Sequence, residues 1–256
     1  MAKANPTLHK IPNEQRLPAT KKQEILRKDN EHLDTGIQKK LNTRANPGST
    51  THTRPKRFNI KNKKMKQQTI ILASTSPRRH NLLKTIIKDF KIIPSNYEED
   101  MTLNLKPEEL AKTLSYNKAS NVAKNQKGII IGSDTFISLG NEVLGKPHTP
   151  KKAKQMLRKL SGKTHNILTG LTVINTETNK KIRHCEIIRI TFKKLTNKEI
   201  EEYIATKEPL DKAGAYALQG LAKKFIINIQ GSRSAAIGLP LEKLSIILNN
   251  MGIKTK

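Results

Sequence analysis

Three short polar segments hold residues whose types suit chemistry at an anionic group. The first, Ser74–Arg79, lies between an apolar run and a predicted helix. The first turn of a helix offers unpaired N–H groups and the positive end of its dipole, and arginine adds planar donors for phosphate oxygens. Ser76, Arg78 and Arg79 therefore predict an anion site. An ordinary capped helix with solvated arginines is the alternative at this point.

The second segment, Gly132–Thr135, follows a short apolar run, Gly128–Gly132, that is typical of a buried strand. Ligands of α/β sheets bind at the carboxyl ends of strands, so an acid at this place is well positioned. Asp134 has the chemistry to hold a metal ion or to orient a water for attack on phosphorus. When Asp134 and Thr135 are considered alone, a turn-forming aspartate is the competing interpretation.

Two lysines are candidates for binding phosphate. Lys118 follows Leu114 by four residues, so it projects from near the apolar side of a predicted helix. There it either extends to solvent or reaches into a cleft and neutralises a triphosphate. Lys146 ends a segment that nearly spells a Walker A loop, but Pro147 stands where that motif needs a hydroxyl. We reject a P-loop and keep Lys146, in its Gly-Lys-Pro turn, as a fixed phosphate-binding cation.

The third segment, Glu208–Gly220, combines charges and small residues without a helical or strand period. Long irregular segments in a compact domain are often binding loops. Gln219 offers an amide that both donates and accepts hydrogen bonds, which suits reading the edge of a nucleobase. The histidines show no metal-ligand spacing. His184 and Cys185 are adjacent in a predicted strand and face opposite ways, so we do not expect them to form a catalytic dyad.

The elements that must position these segments alternate between strands and helices. Apolar runs and turn residues predict strands at 69–73, 91–94, 128–132, 136–139, 142–144, 165–175, 183–194 and 225–229. Capping residues and apolar spacing predict one helix that starts at Pro77 and four further helices, at 107–124, 150–162, 196–205 and 240–251. The alternation predicts an α/β class with a mixed sheet.

The composition is strongly basic, with 49 Lys and Arg against 21 Asp and Glu in 256 residues. Such a balance usually indicates a nucleic-acid or anionic partner. Here the lysines are scattered among Asn and Ile, which favours coding bias instead, so we do not expect a nucleic-acid partner. Cys185 is the single cysteine, which excludes a disulfide scaffold and fits a reducing compartment. No apolar run approaches the ~18 residues of a membrane helix. We expect a soluble, cytoplasmic protein without a membrane partner.

Residues 1–68 have almost no apolar periodicity and contain five prolines. We expect them to be a basic, disordered leader, because such a stretch buries too little apolar area to offset its ordering entropy. A transit peptide is one alternative, and a true start at Met65 is another. Residues 69–256 are predicted to form the folded domain.

Seven motifs in this domain resemble those of the Maf family of nucleoside-triphosphate pyrophosphatases, in the family's order. They are Leu-Ala-Ser-Thr-Ser-Pro-Arg-Arg (72–79), Gly-Ser-Asp-Thr (132–135), Leu-Gly-Lys-Pro (144–147), Leu-Ser-Gly-Lys-Thr-His (160–165), Asp-Lys-Ala-Gly-Ala-Tyr (211–216), Gln-Gly (219–220) and Gly-Leu-Pro-Leu (238–241). The resemblance implies an elongated, mixed-sheet Maf/ITPase-like fold in which two lobes flank a deep cleft. It also implies a homodimer.

The same resemblance implies a reaction and roles for residues. The reaction is hydrolysis of a nucleoside triphosphate between its α and β phosphates, giving the monophosphate and pyrophosphate, with Mg²⁺ or Mn²⁺. Asp134 matches the proton acceptor, and with Glu99 it would bind the metal. The positions that match substrate choice are Arg78, Thr135 and Gln219, and those that match phosphate binding are Ser76, Arg79, Lys118, Lys146 and Lys212.

Ser-Pro-Arg-Arg together with Gln219-Gly220 resembles the family branch that acts on dTTP and UTP. The sister branch, which prefers 7-methyl-GTP, has Glu-Gly in place of Gln219-Gly220 and remains an alternative. A basic nucleic-acid-binding protein on an inactive Maf scaffold is another. The family name is also associated with septum formation and cell division. Arg189, Arg233 and Ala235 depart from the family pattern and bear on substrate preference.

Overall fold

One mixed β-sheet organises residues 68–256, the part of the chain that the computed structural model describes. Its strands are β1 (Ile70–Leu72), β2 (Lys91–Ile92), β3 (Ile129–Leu139), β4 (Glu142–Leu144), β5 (Thr164–Asn175), β6 (Lys180–Phe192) and β7 (Ile226–Gln230). The helices are α1 (Pro77–Ile86), α2 (Pro107–Ala123), α3 (Pro150–Leu160), α4 (Asn197–Ala205), α5 (Arg233–Ile237) and α6 (Leu241–Asn249). The predicted mixed α/β class is confirmed. Residues 1–67, and with them nearly all of the predicted leader, lie outside the described part.

The strands follow the order β2-β1-β3-β5-β6-β7 across the sheet, and β4 pairs with the end of β3. β1 is parallel to both β2 and β3. Helices α1 and α2 occur in the connections between these strands, and a parallel pair needs such a crossover. The pairs β3–β5, β5–β6 and β6–β7 are antiparallel. β5 is buried along almost its whole length and forms the centre of the domain.

Strand β3 is the main departure from the predicted elements. The sequence predicted one strand ending at Gly132 and another starting at Phe136, but β3 is continuous over 11 residues. Its antiparallel ladder with β5 bridges the polar residues between them, because backbone pairing does not require apolar side chains. Asp134 therefore lies in the middle of a strand, opposite Gly170, and not at a strand's carboxyl end.

The other edge of β3 explains why a polar cleft forms there. β1 pairs with β3 only as far as Ile131, and β4 pairs with it only from Ile137 onward. Between these two points, residues 132–136 have no strand partner on that edge. The sheet thus opens beside Asp134 while its other edge stays paired with β5.

Helix α2 packs unusually close to β3 and β5 because two glycines face it. A Cβ on Gly132 would lie 2.5 Å from the Ser115 carbonyl oxygen, and one on Gly170 would overlap the Ala111 carbonyl group. Only glycine leaves room for this approach. The close packing brings Lys118, in the C-terminal half of α2, to the open stretch of β3.

Apolar side chains hold the surrounding elements in place. One buried cluster joins α3 and α4 to β5 and β6 and includes Leu157, Phe192 and Phe225. A second cluster joins α1 and α6 to β1 and β3 and includes Leu83 and Leu248. Each buried Leu or Phe contributes on the order of 2 kcal/mol from removal of apolar surface from water.

Most predicted elements appear with boundaries moved by a few residues, and α5 was not predicted. The 208–220 segment contains short 3₁₀ turns, at Glu208–Asp211 and Ala213–Ala215, but no α-helix or strand. Among residues 68–256, no helix is long and apolar enough to span a bilayer.

Candidate active site

A single cleft of about 560 Å³ brings together every predicted site residue. Its lining includes Ser76, Arg78, Arg79, Glu99, Lys118, Asp134, Thr135, Lys146, Lys212 and Gln219. One wall comes from the β1–α1 junction and the open stretch of β3. The opposite wall comes from the Lys146 turn and the 208–220 loop, which are joined by backbone hydrogen bonds such as Gly214 N–H to the Gly145 carbonyl (3.0 Å).

Two carboxylates converge on the ammonium of Lys118 in this cleft. Lys118 Nζ donates to Asp134 Oδ1 and, at 2.6 Å, to Glu99 Oε1. The Asp134 side chain is only 5% exposed and that of Lys118 12%, whereas Glu99 is 43% exposed. Of the two alternatives for Lys118, extension to solvent or reach into a cleft, the structure shows the second. In this structure its ammonium is shared between the two acids, which keeps Asp134 paired despite its burial.

The electrostatics around Glu99 favour its ionised form. Burial alone would raise the pKa of this carboxyl, but the Lys118 ammonium opposes that effect by charge and by hydrogen bonding. Lys146 and Arg79 add smaller effects in the same direction, so the pKa of Glu99 lies below its ordinary value. The cleft therefore holds a charged acid at its rim beside the more buried Asp134.

Arg79 ties three parts of the site together. Its Nε donates to the Gly238 carbonyl at 2.8 Å, Nη1 to Ser74 Oγ at 3.3 Å and Nη2 to Thr135 Oγ1 at 3.1 Å. Burial lowers the pKa of this guanidinium, and the charges of Asp134 and Glu99 partly offset that effect. Arg79 thus fixes α1 against β3 and the turn after α5. Arg78, in contrast, is exposed and lines the cleft.

The hydroxyl of Thr135 is already used inside the protein. Thr169 Oγ1 donates to the Ala235 carbonyl at 2.8 Å, and a hydroxyl has one proton. The 3.1 Å hydrogen bond between Thr135 and Thr169 must therefore be donated by Thr135, which also accepts from Arg79. Thr135 can offer a ligand at most an acceptor. This chain of hydrogen bonds uses only the backbone carbonyl of Ala235. Alanine at this position departs from the family pattern but therefore leaves the chain of hydrogen bonds intact.

The start of α1 is built as predicted, with Ser76 as N-cap and Pro77 at the first helical position. The capping bond itself is not made, because the Ser76 side chain accepts no hydrogen bond from the first turn. Instead Ser74 Oγ accepts from the Ser76 N–H at 3.2 Å and from Arg79. Ser74 is a site residue that sequence reasoning missed; its only signal was its place in the Ser-Thr-Ser-Pro-Arg-Arg motif.

On the opposite wall, Lys212 lies beside Asp211 and donates to both oxygens of that carboxylate, at 2.7 and 2.6 Å. Burial would raise the pKa of Asp211, but the hydrogen bond from Lys212 has the larger effect and lowers it. Gln219 is exposed at the mouth of the cleft. Lys146, in its turn after β4, is likewise accessible to a ligand.

The acids suit a hard cation, although they do not enclose one. Among residues 68–256, no group of three or more His, Cys, Asp or Glu side chains could hold a metal ion. Mg²⁺ usually keeps several waters and takes one or two carboxylates together with substrate phosphates. The oxygens of Glu99 and Asp134 fit that pattern, with Lys118 lying between them.

Fold and site together define a mixed α/β protein with a cation-lined cleft around a buried aspartate, an arrangement suited to a phosphate-bearing ligand. The chain belongs to the Maf family: the family model described as Maf-like protein matches residues 69–251. The resemblance seen in the seven motifs is confirmed.

Curated relatives cover the same part of the chain. It is similar to the dTTP/UTP pyrophosphatase of Alkaliphilus oremlandii, with 44% identity over 73% of this chain and 96% of that protein. The dTTP/UTP pyrophosphatase of Desulforamulus reducens is 42% identical over 72% of this chain and 97% of that protein. The dTTP/UTP pyrophosphatase of Methanosarcina mazei is 45% identical over 72% of this chain and 94% of that protein. A solved nucleoside-triphosphatase / dITP/XTP pyrophosphatase from Mycobacterium abscessus aligns at 12% identity and a TM-score of 0.36, over 72% of this chain and 96% of that one.

Proposed function

We propose that this chain is a nucleoside-triphosphate pyrophosphatase that hydrolyses dTTP and UTP to the monophosphate and pyrophosphate. The observation that carries the proposal is the placement of Asp134. This buried carboxylate lies on the unpaired stretch of β3, faces a cleft lined with cations, and has the amide of Gln219 on the opposite wall. The similarity to dTTP/UTP pyrophosphatases supports the choice of substrate.

Binding of the triphosphate falls to the cations and to the start of α1. Arg78 and Lys146 are accessible and supply positive charge from opposite walls. The first turn of α1 adds backbone N–H groups and the positive end of the helix dipole. Because the backbone N–H groups are fixed before the ligand arrives, they stabilise charge that develops on the phosphate oxygens without reorganising.

Asp134 is the general base in this proposal. A water molecule attacks one of the two phosphorus atoms that flank the α–β bridging oxygen, and its proton passes to the Asp134 carboxylate. The bond from that phosphorus to the bridging oxygen breaks, and the electron pair stays on the bridging oxygen. The leaving group is pyrophosphate if water attacks the α phosphorus, and the nucleoside monophosphate if water attacks the β phosphorus. Lys118 donates a hydrogen bond to Asp134 and so holds its carboxylate in place on the unpaired stretch of β3.

Glu99 and Asp134 are the residues that would hold a divalent cation, Mg²⁺ or Mn²⁺, since both present carboxylate oxygens to the same point of the cleft. When bound, such an ion neutralises charge on the phosphate oxygens. Lys118 must then share these two acids with the ion or turn toward the phosphates, which is the role that the family resemblance implies for it.

Selection of the base falls to the loop wall of the cleft. Gln219 presents a donor and an acceptor, which match the carbonyl and N–H groups on the edge of thymine or uracil. A base with the wrong pattern leaves polar groups unpaired, so discrimination is strong. Thr135 acts on this choice mainly through Arg79, because its own proton is already donated to Thr169.

The family resemblance further implies a homodimer, and the single cysteine fits the cytoplasm; both are part of this proposal. Light scattering on the purified full-length chain, coupled to size-exclusion chromatography, distinguishes a dimer from a monomer. Fractionation of the native cells followed by immunodetection tests the compartment.

The activity is tested by measuring pyrophosphate release from equal concentrations of dTTP, UTP, ATP, GTP and 7-methyl-GTP, with and without Mg²⁺. We expect faster hydrolysis of dTTP and UTP than of the three purine nucleotides, and activity only with the metal. A preference for 7-methyl-GTP would contradict the substrate choice but not the reaction class. Absence of pyrophosphate release from every nucleotide would contradict both.

A further inference from the structure

The 208–220 loop, which carries Lys212 and Gln219, is closed by a single carboxylate at its first residue. Both oxygens of Glu208 accept from the backbone N–H of Leu221, at 3.2 and 3.1 Å. Thirteen residues separate the two partners. The two ends of the loop are therefore held together by a charge-assisted hydrogen bond rather than by a strand or a helix.

Glu208 is itself held in place from inside the domain. Tyr203 donates its hydroxyl to Glu208 Oε1 at 3.0 Å, and its ring is 1% exposed. That ring packs edge-on against Phe225, with 5.3 Å between ring centroids. Phe225 belongs to the main apolar cluster, so the carboxylate is anchored to the core.

The far end of the loop is shaped to receive this carboxylate. A Cβ on Gly220 would overlap Glu208 Oε1, although the backbone of Gly220 has an ordinary negative φ. Glycine is needed here for space and not for conformation. The Leu221 side chain is 55% exposed, so burial of that side chain does not hold this end.

The position of Gln219 follows from this arrangement. Gln219 directly precedes Gly220, is exposed, and lines the cleft. Leu221 lies two residues after Gln219, and the hydrogen bond from its N–H to the Glu208 carboxylate determines where the backbone of Gly220 lies. A side chain that must meet the edge of a base within a fraction of an ångström depends on such support.

We propose that Glu208 is a positioning residue that sets the base selectivity of the cleft by clamping the loop that carries Gln219. The selectivity part rests on the proposed nucleotide pyrophosphatase function. The clamp itself is a property of the chain alone. Glu208 does not line the cleft and acts through Gln219.

The first test compares Glu208→Ala and Gly220→Ala with wild type by amide hydrogen exchange and thermal melting. Glu202→Ala is the matched control, because Glu202 is an exposed acid on α4 just before the loop. We expect exchange over residues 211–221 to increase at least tenfold in both test variants, with β5 unchanged. Unchanged exchange in that region would overturn the clamp.

The second test measures kcat and KM for the nucleotide that wild type hydrolyses best and for the one it hydrolyses worst. In Glu208→Ala we expect the ratio of the two kcat/KM values to fall at least tenfold, mainly through KM for the best substrate. Glu208→Gln, which keeps an acceptor oxygen, should restore part of that ratio. In a Gln219→Ala background, Glu208→Ala should lower the ratio no further. An equal loss for all nucleotides would indicate a merely structural role and overturn the proposal.

Failure of the proposed function is distinguishable from failure of the clamp. If wild type hydrolyses no nucleotide, the activity proposal fails, and exchange still decides whether the clamp exists. Equilibrium binding of α,β-methylene-UTP and α,β-methylene-GTP then replaces kinetics as the measure of selectivity. A ratio of dissociation constants that Glu208→Ala leaves unchanged would overturn the positioning role.

Discussion

Lys118 on α2 and Asp134 on β3 form an ion pair that is almost closed to solvent. The pair exists because Gly132 and Gly170 let α2 approach the sheet closely enough for the ammonium to reach the strand. A carboxylate buried without such a partner would be an uncompensated charge. The close packing at the two glycines thus provides the proposed base with its counter-ion.

Asp134→Asn should retain nucleotide binding while lowering kcat about 10²-fold or more, because the amide cannot accept the water's proton. Pyrophosphate release and nucleotide titration measure the two quantities separately. Asp89→Asn, an exposed acid after α1, is the control and should behave as wild type. Near-normal turnover in Asp134→Asn would exclude Asp134 as the base.

Lys118→Met should move the acidic limb of the pH–rate profile to higher pH, because the proposed function uses Glu99 in its ionised form. The ammonium holds the pKa of Glu99 below its ordinary value against the opposing effect of burial. Removing the ammonium therefore raises the pH at which Glu99 becomes ionised. The measurement is kcat/KM for dTTP across pH. A limb that stays in place would show that the charge of Glu99 does not depend on Lys118.

Gln219→Glu should erode the preference for dTTP and UTP over purine nucleotides, because it exchanges an amide donor for a negative charge at equal size. The concentration of Mg²⁺ that gives half-maximal activity should change less than the substrate ranking. Both quantities come from the same pyrophosphate assay. An unchanged ranking would mean that Gln219 does not read the base.

Acid should destabilise the domain through His165. Its ring is buried, and Nε2 forms a hydrogen bond of 2.7 Å with the Tyr216 hydroxyl. Burial lowers the pKa of His165 to about 4, from 6.5 for an exposed histidine. Between pH 4 and pH 6.5, this histidine binds a proton in the unfolded chain but stays neutral in the folded protein. The free energy of unfolding therefore falls as pH decreases from 6.5 to 4, by at most about 1.4 kcal/mol per pH unit.

The measurement for His165 is urea denaturation between pH 4 and 8 for wild type, His165→Gln and His80→Gln. His165→Gln should be less stable at neutral pH but should lose less stability on acidification than wild type. His80 lies on α1 and is not fully buried, so His80→Gln should keep the pH dependence of wild type. Parallel curves for wild type and His165→Gln would contradict this origin of acid sensitivity.

Gly170→Ala should lower both stability and activity, because the added methyl overlaps the Ala111 carbonyl and pushes α2 away from the sheet. Overpacking of this kind costs about 1–3 kcal/mol. Thermal melting and kcat for dTTP are the two measurements. Gly145→Ala is the stability control, since nothing lies within 4 Å of its Cβ position. A variant with the stability and rate of wild type would show that the close approach is not needed.

Features set by neighbours in the chain were predictable from the sequence. Thr196 and Glu199 are three residues apart, and both hydrogen bonds of their capping box are present in the structure. The turn at Gly140 likewise joins β3 to β4 as the hairpin pattern predicted. In these cases the partners are close in sequence, so local geometry and residue type are sufficient.

The continuity of β3 was not predictable in this way. Gly132 and Ser133 interrupt the apolar pattern that marks a strand, and pairing with β5 overrides that interruption. The alternation of side chains reports which face is buried, but it does not report where a partner strand starts or stops. The place of Asp134 within a half-open strand follows only from the paired lengths of β1 and β4.

The sequence by itself determined the chemical groups of the site, their order along the chain, and the family to which that order belongs. The tertiary structure alone decided which groups contact each other. Arg79 reaches the Gly238 carbonyl 159 residues away, and Glu208 reaches Leu221 across a loop. Such contacts depend on the packing of whole helices and strands, and a pattern of residue types does not specify distances between segments that are remote in the chain.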